Sequence, residues 1–108
     1  MKLSRGDIIL VNLDPVMGSE LGKTRPAVLV QNDIGNRYSN ALIVVPLTAS
    51  SEKKKSYPFC VEVEKCPGLS KTSLVNTSQI RTIDRSRVVS VLGHVAADDM
   101  DRVDHALQ

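Results

Sequence analysis

The sequence predicts a mainly β protein: a small barrel or strongly coiled antiparallel sheet, closed by one C-terminal helix. Short apolar segments recur along the chain with turn residues between them, which is typical of an all-β domain. Only the last segment has the spacing of a helix. The 108 residues, 42% of them hydrophobic, suffice for one core, so we expect a single domain over residues 1–108.

The predicted strands are rich in β-branched and other apolar residues. They are GDIILVNL (6–13), PAVLVQND (26–33), ALIVVPLT (41–48), YPFCVEVE (57–64), SLVN (73–76) and RVVSVLGHV (87–95). Val61 and Val63 alternate with Glu62 and Glu64, as in a strand with one face in water. Short connections favour antiparallel pairing. TSQIRTIDRS (77–86) is too polar for a core strand and predicts a short helical turn followed by a bend.

The C-terminal DDMDRVDHALQ predicts a helix, because Met100, Val103 and Leu107 recur at helical spacing with charges between them. Its aspartates lack the carbonyl-rich loop that calcium needs, so they are interpreted as helix surface. His94 and His105 show no carboxylate partner in the sequence, and Cys60 and Cys66 do not match the spacing of a zinc site. We therefore expect no metal and no cofactor.

The charge is uneven along the chain. Residues 1–87 hold thirteen Lys and Arg against eight Asp and Glu, whereas residues 88–108 hold one against four. The basic body permits an anionic partner without requiring one. The longest apolar run, 41–47, is far too short to cross a membrane, and the N-terminus lacks a signal-peptide core. We expect a cytoplasmic protein.

Two polar residues flank the second and third predicted strands. Arg25 precedes Pro26, which restricts its backbone to extended geometry, and Thr48 leaves the third strand. If these strands form a hairpin, the start of one lies beside the end of the other, and Arg25 and Thr48 become neighbours. A guanidinium and a hydroxyl could then bind one phosphate. The alternative interpretation is that Arg25 is an ordinary arginine at a strand edge and Thr48 an ordinary threonine in a turn, and that the two form no binding site.

Four segments, in order, resemble the MazF/PemK family of toxin endoribonucleases over nearly the whole chain. They are RGDIILVNLDPVMGSELGKTRPAVLVQND, VVPLTAS, QIRTIDRSRV and DRVDHAL. The resemblance implies an SH3-like β-barrel with helices, usually a homodimer. It also implies metal-independent cleavage of single-stranded RNA and inhibition by an acidic, MazE-like antitoxin.

The resemblance also assigns residues. Arg25 and Thr48 match the principal catalytic positions. Glu20 is not assigned by the resemblance; as the nearest carboxylate in the first loop it is a candidate proton acceptor, and it could equally pair with Lys23 or Arg25. Arginine itself keeps its proton at neutral pH, so we expect Arg25 to act by electrostatic stabilisation. The expected RNA-binding residues are Gly18, Ser19 and Lys23 in the first loop, Lys53, Lys54 and Lys55 in the lysine run, and Gln79 and Arg81.

This chain differs from the PemK branch of the family at two places, which limits how many site residues can be assigned from the resemblance. The plasmid-borne PemK branch has an Arg-x-Asp pair before the glutamine and a histidine in the first loop, whereas this chain has Asn76, Ser78 and Ser19. The chain therefore resembles the chromosomal MazF branch of Gram-positive bacteria more closely. The lysine run could also be a solvated loop, and the rival function is a barrel toxin that binds and poisons DNA gyrase without catalysis.

Overall fold

The structure is a computed structural model and describes residues 2–12, 24–49, 60–63 and 73–107. The strands are β1 (Asp7–Asn12), β2 (Thr24–Leu29), β3 (Ala41–Ala49), β4 (Cys60–Val63), β5 (Ser73–Asn76), β6 (Arg81–Asp84) and β7 (Val88–His94). The helices are α1 (Asp33–Tyr38) and α2 (Ala97–Leu107), with 3₁₀ turns at Thr77–Gln79 and Arg85–Arg87. Within the described ranges, no helix has the length and apolarity needed to cross a membrane.

The sheet is antiparallel throughout, in the order β4-β5-β3-β2-β1-β7, with β6 also paired to β3. Strand β3 is its centre. Its first half pairs with β6, from Ala41 opposite Asp84 to Val44 opposite Arg81. Its last residues pair with β5, from Leu47 opposite Val75 to Ala49 opposite Ser73. This sharing of one strand between several neighbours gives the predicted barrel-like sheet.

Alternate residues of the central strands supply two separate cores, because successive side chains in a strand point to opposite faces. Ile8, Val28 and Val45 belong to one cluster, which Met100 and Val103 of α2 cover. On the other face, a second cluster contains Ile9, Val11, Ala27, Leu29, Leu42, Val44 and Ile83. The helical spacing predicted for the C-terminus is thus confirmed, since it places Met100 and Val103 against the sheet.

The connection between β2 and β3 contains a helix that the sequence interpretation missed. Strand β2 ends at Leu29 rather than at Asp33, and α1 occupies Asp33–Tyr38. The Asn32 side chain accepts a hydrogen bond from the Gly35 backbone N–H at 2.9 Å and caps the helix. The sequence NDIGN was interpreted as strand end and turn because its capping residues are also turn formers.

The prediction of a bend after the turn at 77–79 was wrong for residues 81–84. Thr77–Gln79 does form a 3₁₀ turn, but Arg81–Asp84 forms strand β6 on the edge of β3. Only Ile83 of this strand is buried. Backbone pairing, rather than a run of apolar side chains, therefore defines β6, and composition could not predict it.

Arg5 connects three parts of the fold. Its backbone N–H donates to Asp33 Oδ1 at 2.6 Å, and its Nε donates to the Val30 carbonyl at 3.0 Å. Its guanidinium also forms an ion pair with Asp104 of α2. The N-terminal segment, α1 and α2 are thereby fixed relative to one another at the end of the sheet where β2 finishes.

Candidate active site

Arg25 lies near the start of β2, where its side chain is exposed. Its partner in the sheet is Val11 of β1. The ladder between β2 and β3 runs from Leu29 opposite Val44 to Ala27 opposite Pro46, where it ends. Arg25 is therefore two residues beyond the last pair on the β2 side.

Thr48 is two residues beyond the same pair on the β3 side. The register of the β2–β3 ladder, continued by two residues, sets Arg25 opposite Thr48. Thr48 pairs with Leu74 of β5 and is half-buried. Along the described strands the β2–β3 ladder stops before either residue, while Arg25 keeps its β1 partner Val11 and Thr48 its β5 partner Leu74.

Arg25 and Thr48 also share a face of the sheet. Arg25 alternates in phase with Ala27 and Leu29, and Thr48 with Val44, all of which belong to the second cluster. Both side chains therefore stand at the rim of that core. The register, when continued by two residues, agrees with the predicted neighbourhood of Arg25 and Thr48. A guanidinium and a hydroxyl on one face can donate to the same phosphate.

Arg81 and Gln79 lie on the β5–β6 side of Thr48. Arg81 is exposed and pairs with Val44, four residues before Thr48 on β3. Gln79 ends the 3₁₀ turn that joins β5 to β6, and it is exposed too. The Asn76 side chain accepts from the Ser78 backbone N–H at 3.0 Å and caps this turn. A capped turn thus places Gln79 between β5 and β6, and Arg81 is the residue of the β3–β6 ladder nearest to Thr48 along β3.

A profile of PemK-like, MazF-like toxins of type II toxin–antitoxin systems matches residues 4–108 of the chain.

The chain belongs to this toxin family.

Relatives support the assignment at the level of sequence and fold. The chain is 44% identical over 109 residues to Endoribonuclease EndoA of Bacillus subtilis, covering 100% of this chain and 93% of EndoA. The solved MazE–MazF complex of Deinococcus radiodurans matches with a TM-score of 0.78 at 26% identity, over 99% of this chain and 93% of that one. A mycobacterial endoribonuclease solved with its cognate antitoxin matches with a TM-score of 0.78 at 25% sequence identity, over 97% of this chain and 90% of that one. This toxin is therefore an endoribonuclease homologue, and the gyrase alternative is not favoured.

Several predicted site residues of the toxin fall outside the described residues. These are Gly18, Ser19, Glu20, Lys23, Lys53, Lys54 and Lys55. Asn12 and Thr24, the described residues on either side of positions 13–23, are paired with each other next to Arg25. Segment 50–59 follows Ala49, the residue after Thr48. Both segments are thus attached at the candidate site.

Arg87 is a neighbour of the site that the sequence did not indicate. It is half-buried, and its Nη1 donates to the Asn12 carbonyl at 3.5 Å. Asn12 in turn pairs with Thr24, the residue before Arg25. Arg87 thereby ties the end of β1 to the 3₁₀ turn that precedes β7, one strand away from Arg25. No sequence pattern joins positions 12 and 87, so this contact could not be predicted.

The structure corrects two expectations, one about His94 and one about Asp99. His94 does have a carboxylate partner, since its Nδ1 lies 2.9 Å from Asp7 Oδ1. This pair lies at the start of β1, whereas Arg25 faces the end of that strand. Asp99, predicted as surface, is buried and bonded to Arg102. Within residues 2–12, 24–49, 60–63 and 73–107, no group of three His, Cys, Asp or Glu residues could hold a metal ion.

Proposed function

We propose that this toxin cleaves single-stranded RNA without a metal ion, through attack by the 2′-hydroxyl of the RNA on the adjacent phosphorus. The products carry a 2′,3′-cyclic phosphate and a 5′-hydroxyl. The observation that supports this proposal is the position of Arg25 and Thr48 on one face, at the point where β2 and β3 separate.

The reaction needs little covalent participation by the protein, because RNA carries its own nucleophile. The bond from the 2′-oxygen to phosphorus forms as the bond to the 5′-oxygen breaks. The 2′-hydroxyl loses its proton, and the leaving 5′-oxygen gains one. Negative charge increases on the non-bridging oxygens in the transition state. The Arg25 guanidinium can give these oxygens two hydrogen bonds and the Thr48 hydroxyl a third.

Such fixed donors are commonly worth about 3 kcal/mol each, or on the order of a hundredfold in rate. Arg25 acts as an electrostatic stabiliser and a possible proton donor to the leaving oxygen. Glu20 remains the candidate acceptor of the 2′ proton, with an ion pair to Lys23 or Arg25 as its alternative role.

Single-strand selectivity follows from the geometry of the attack. A stacked A-form helix holds the 2′-oxygen away from the line opposite the 5′-oxygen, and unstacked bases expose their edges for recognition. Gln79 and Arg81, on the β3 edge near Thr48, are suited to contact the neighbouring nucleotides. Lys53, Lys54 and Lys55 would attract the phosphate backbone without sequence preference.

The proposed protein partners of this toxin are inferred from its relatives and from its own distribution of charge. Two matched toxins were solved with MazE or a cognate antitoxin. For this toxin we propose an acidic antitoxin that binds the basic body, together with action on mRNA in the cytoplasm. We further propose a homodimer formed through Arg81 and β7, where Val89 and Val91 are 53% and 43% exposed at the end of the strand order.

Incubation of the purified protein with a long RNA, with and without EDTA, tests the proposal. We expect discrete fragments with 5′-hydroxyl ends in both conditions, detected by end-group labelling with and without prior phosphatase treatment. Activity that disappears in EDTA would indicate a metal-dependent nuclease. Intact RNA together with tight gyrase binding would overturn the nuclease assignment itself.

A further inference from the structure

A cavity of about 840 Å³ lies between the N-terminal segment and α1. Its lining includes Lys2, Ser4, Ile34, Arg37, Tyr38 and Arg85. Helix α1 follows the end of β2, whereas Arg25 stands near the start of that strand. The cavity is therefore separated from the candidate active site by the length of β2. Its volume is within the range of sites that bind small organic groups.

The most exposed apolar side chains among the described residues border this cavity. Ile34 and Tyr38 are both 75% exposed. They are four residues apart on α1 and therefore lie on one side of the helix. The Arg37 guanidinium lies over the Tyr38 ring, 5.4 Å from its centroid. An exposed aromatic ring flanked by a cation and an aliphatic side chain is a surface on which a nucleobase can stack.

Helix α1 presents these side chains from a fixed backbone. Asn36 is buried, and its Nδ2 donates to the Gln31 carbonyl at 2.9 Å and to Asp33 Oδ1 at 3.2 Å. At the other end of the helix, the Arg85 guanidinium donates to the Ser39 carbonyl at 3.1 Å and to the Asn36 carbonyl. Because the helix is held at both ends, a ligand that contacts Tyr38 need not order the backbone.

The charges at the cavity favour an anion. Lys2 and Arg37 are exposed, and Arg85 is half-buried. Asp33 is the acidic residue of the lining, and its carboxylate already accepts hydrogen bonds from the Arg5 backbone and the Asn36 side chain. A phosphate near Lys2 and Arg37 would therefore meet an excess of positive charge.

We propose that this cavity is a second RNA-binding site, which takes a nucleotide of the same single-stranded substrate outside the cleaved step. The base stacks on Tyr38 against Ile34, and its phosphate contacts Arg37 and Lys2. This inference rests on the proposed ribonuclease function, because it assumes the same substrate. A nucleic acid fits this surface better than an acidic peptide does. The Tyr38 ring can stack on a base while the neighbouring Arg37 contacts a phosphate, and bases and phosphates alternate along RNA.

The experiment compares a short and a long RNA that carry the same mapped cleavage site. The short RNA, of about five nucleotides, fills only the Arg25 site, and the long one, of about twenty, can reach both. A 2′-deoxy nucleotide at the cleaved position removes the nucleophile, so that binding is measured without turnover. For Tyr38→Ala we expect the Kd of the long RNA to rise about tenfold, because a stacking contact is lost. The Kd of the short RNA and its cleavage by the same variant, measured on the all-ribose form, should remain as in the wild type.

Conservative variants are the matched controls. Tyr38→Phe keeps the ring and should bind the long RNA as the wild type does. Arg37→Gln removes a positive charge, so it should raise the Kd of the long RNA and make that Kd less dependent on salt. Arg37→Lys keeps the charge and should leave the salt dependence of the Kd unchanged. Equal affinity of wild type and Tyr38→Ala for the long RNA would overturn the second site. The second site would also be overturned if Tyr38→Ala changed the oligomeric state, or if it weakened antitoxin binding while RNA affinity stayed unchanged. Either result would show that this surface binds a protein. Loss of short-RNA cleavage in wild type would instead contradict the proposed function.

Discussion

Arg25 of β2 and Thr48 of β3 occupy opposite positions of one register, on one face of the sheet, just beyond the last pair of the β2–β3 ladder. Strand β1 holds the first residue and β5 holds the second. Three pairs of strands, β1–β2, β2–β3 and β3–β5, therefore set the relative positions of the two residues.

The first prediction concerns catalysis. Arg25→Ala and Thr48→Ala should each lower kcat by about a hundredfold or more, because each removes a donor to the transition-state phosphate. Arg25→Lys keeps the charge but loses the planar fork, and it should recover activity only in part. Thr48→Ser keeps the hydroxyl and is the matched control. Near wild-type cleavage by either alanine variant, with an unchanged thermal unfolding curve, would refute the assignment.

The second prediction concerns the link between Arg5 and Asp104. Asp104→Asn removes a partly exposed ion pair and should lower the free energy of unfolding by about 0.5–1 kcal/mol. Arg5→Ala also leaves the Val30 carbonyl without its donor and should cost about 1–3 kcal/mol. Urea unfolding of both variants and of the double variant measures the coupling. Strict additivity of the two effects would mean that the pair contributes nothing.

The third prediction concerns acid stability. Hydrogen bonds from the Arg5 backbone and the Asn36 side chain hold the pKa of Asp33 below its ordinary value. A lowered pKa in the folded state stabilises the protein at neutral pH, and this contribution disappears as the pH falls through the folded pKa. Asp33→Asn should therefore be less stable than wild type at pH 7, and the difference should shrink below about pH 4.

Urea unfolding at a series of pH values measures this difference, and NMR titration of the Asp33 carboxyl measures its pKa directly. Asp84 provides a parallel case, because hydrogen bonds from the Ser86 backbone and side chain lower its pKa too. A difference between wild type and Asp33→Asn that stays constant with pH would contradict the prediction.

The fourth prediction concerns Gly6, which has a φ of +92°. A Cβ at this position would lie 3.0 Å from Cε1 of His94. Gly6→Ala should destabilise the fold by about 1–3 kcal/mol through backbone strain and this contact. His94→Ala removes this contact and also the bond to Asp7, so the double variant is compared with His94→Ala alone; Gly6→Ala should cost less in that background but still destabilise the fold through strain. Thermal unfolding would show no effect of Gly6→Ala in the His94→Ala background if the contact alone were responsible.

The fifth prediction concerns the proposed dimer. Val91→Lys places a charge on the exposed side of β7 and should shift the protein to a monomer, measured by sedimentation velocity. Ile34→Lys, on α1, is the matched control because Ile34 is more exposed, and it should remain dimeric. A Val91→Lys protein that keeps the wild-type mass would exclude this face of β7 as the contact.

The positions of most strands and of the C-terminal helix could be predicted from the sequence, and so could the β2–β3 pairing behind the proposed Arg25–Thr48 site. These features depend on local periodicity: alternation along each strand, helical spacing around Met100 and Val103, and the adjacency of strand ends in an antiparallel hairpin. The family resemblance also lies in the sequence, since its motifs are continuous segments. Local patterns thus determined the class of fold, and they suggested the proposed site.

Only the tertiary structure decided the rest. It placed α1 between β2 and β3, paired β6 with β3, joined Asp7 to His94, and brought Arg87 to Asn12. Each of these depends on a contact between distant positions, or on a polar segment whose preference alone does not distinguish helix, strand and turn. Such contacts form because folding brings the chain together in three dimensions, and no period in the sequence encodes them.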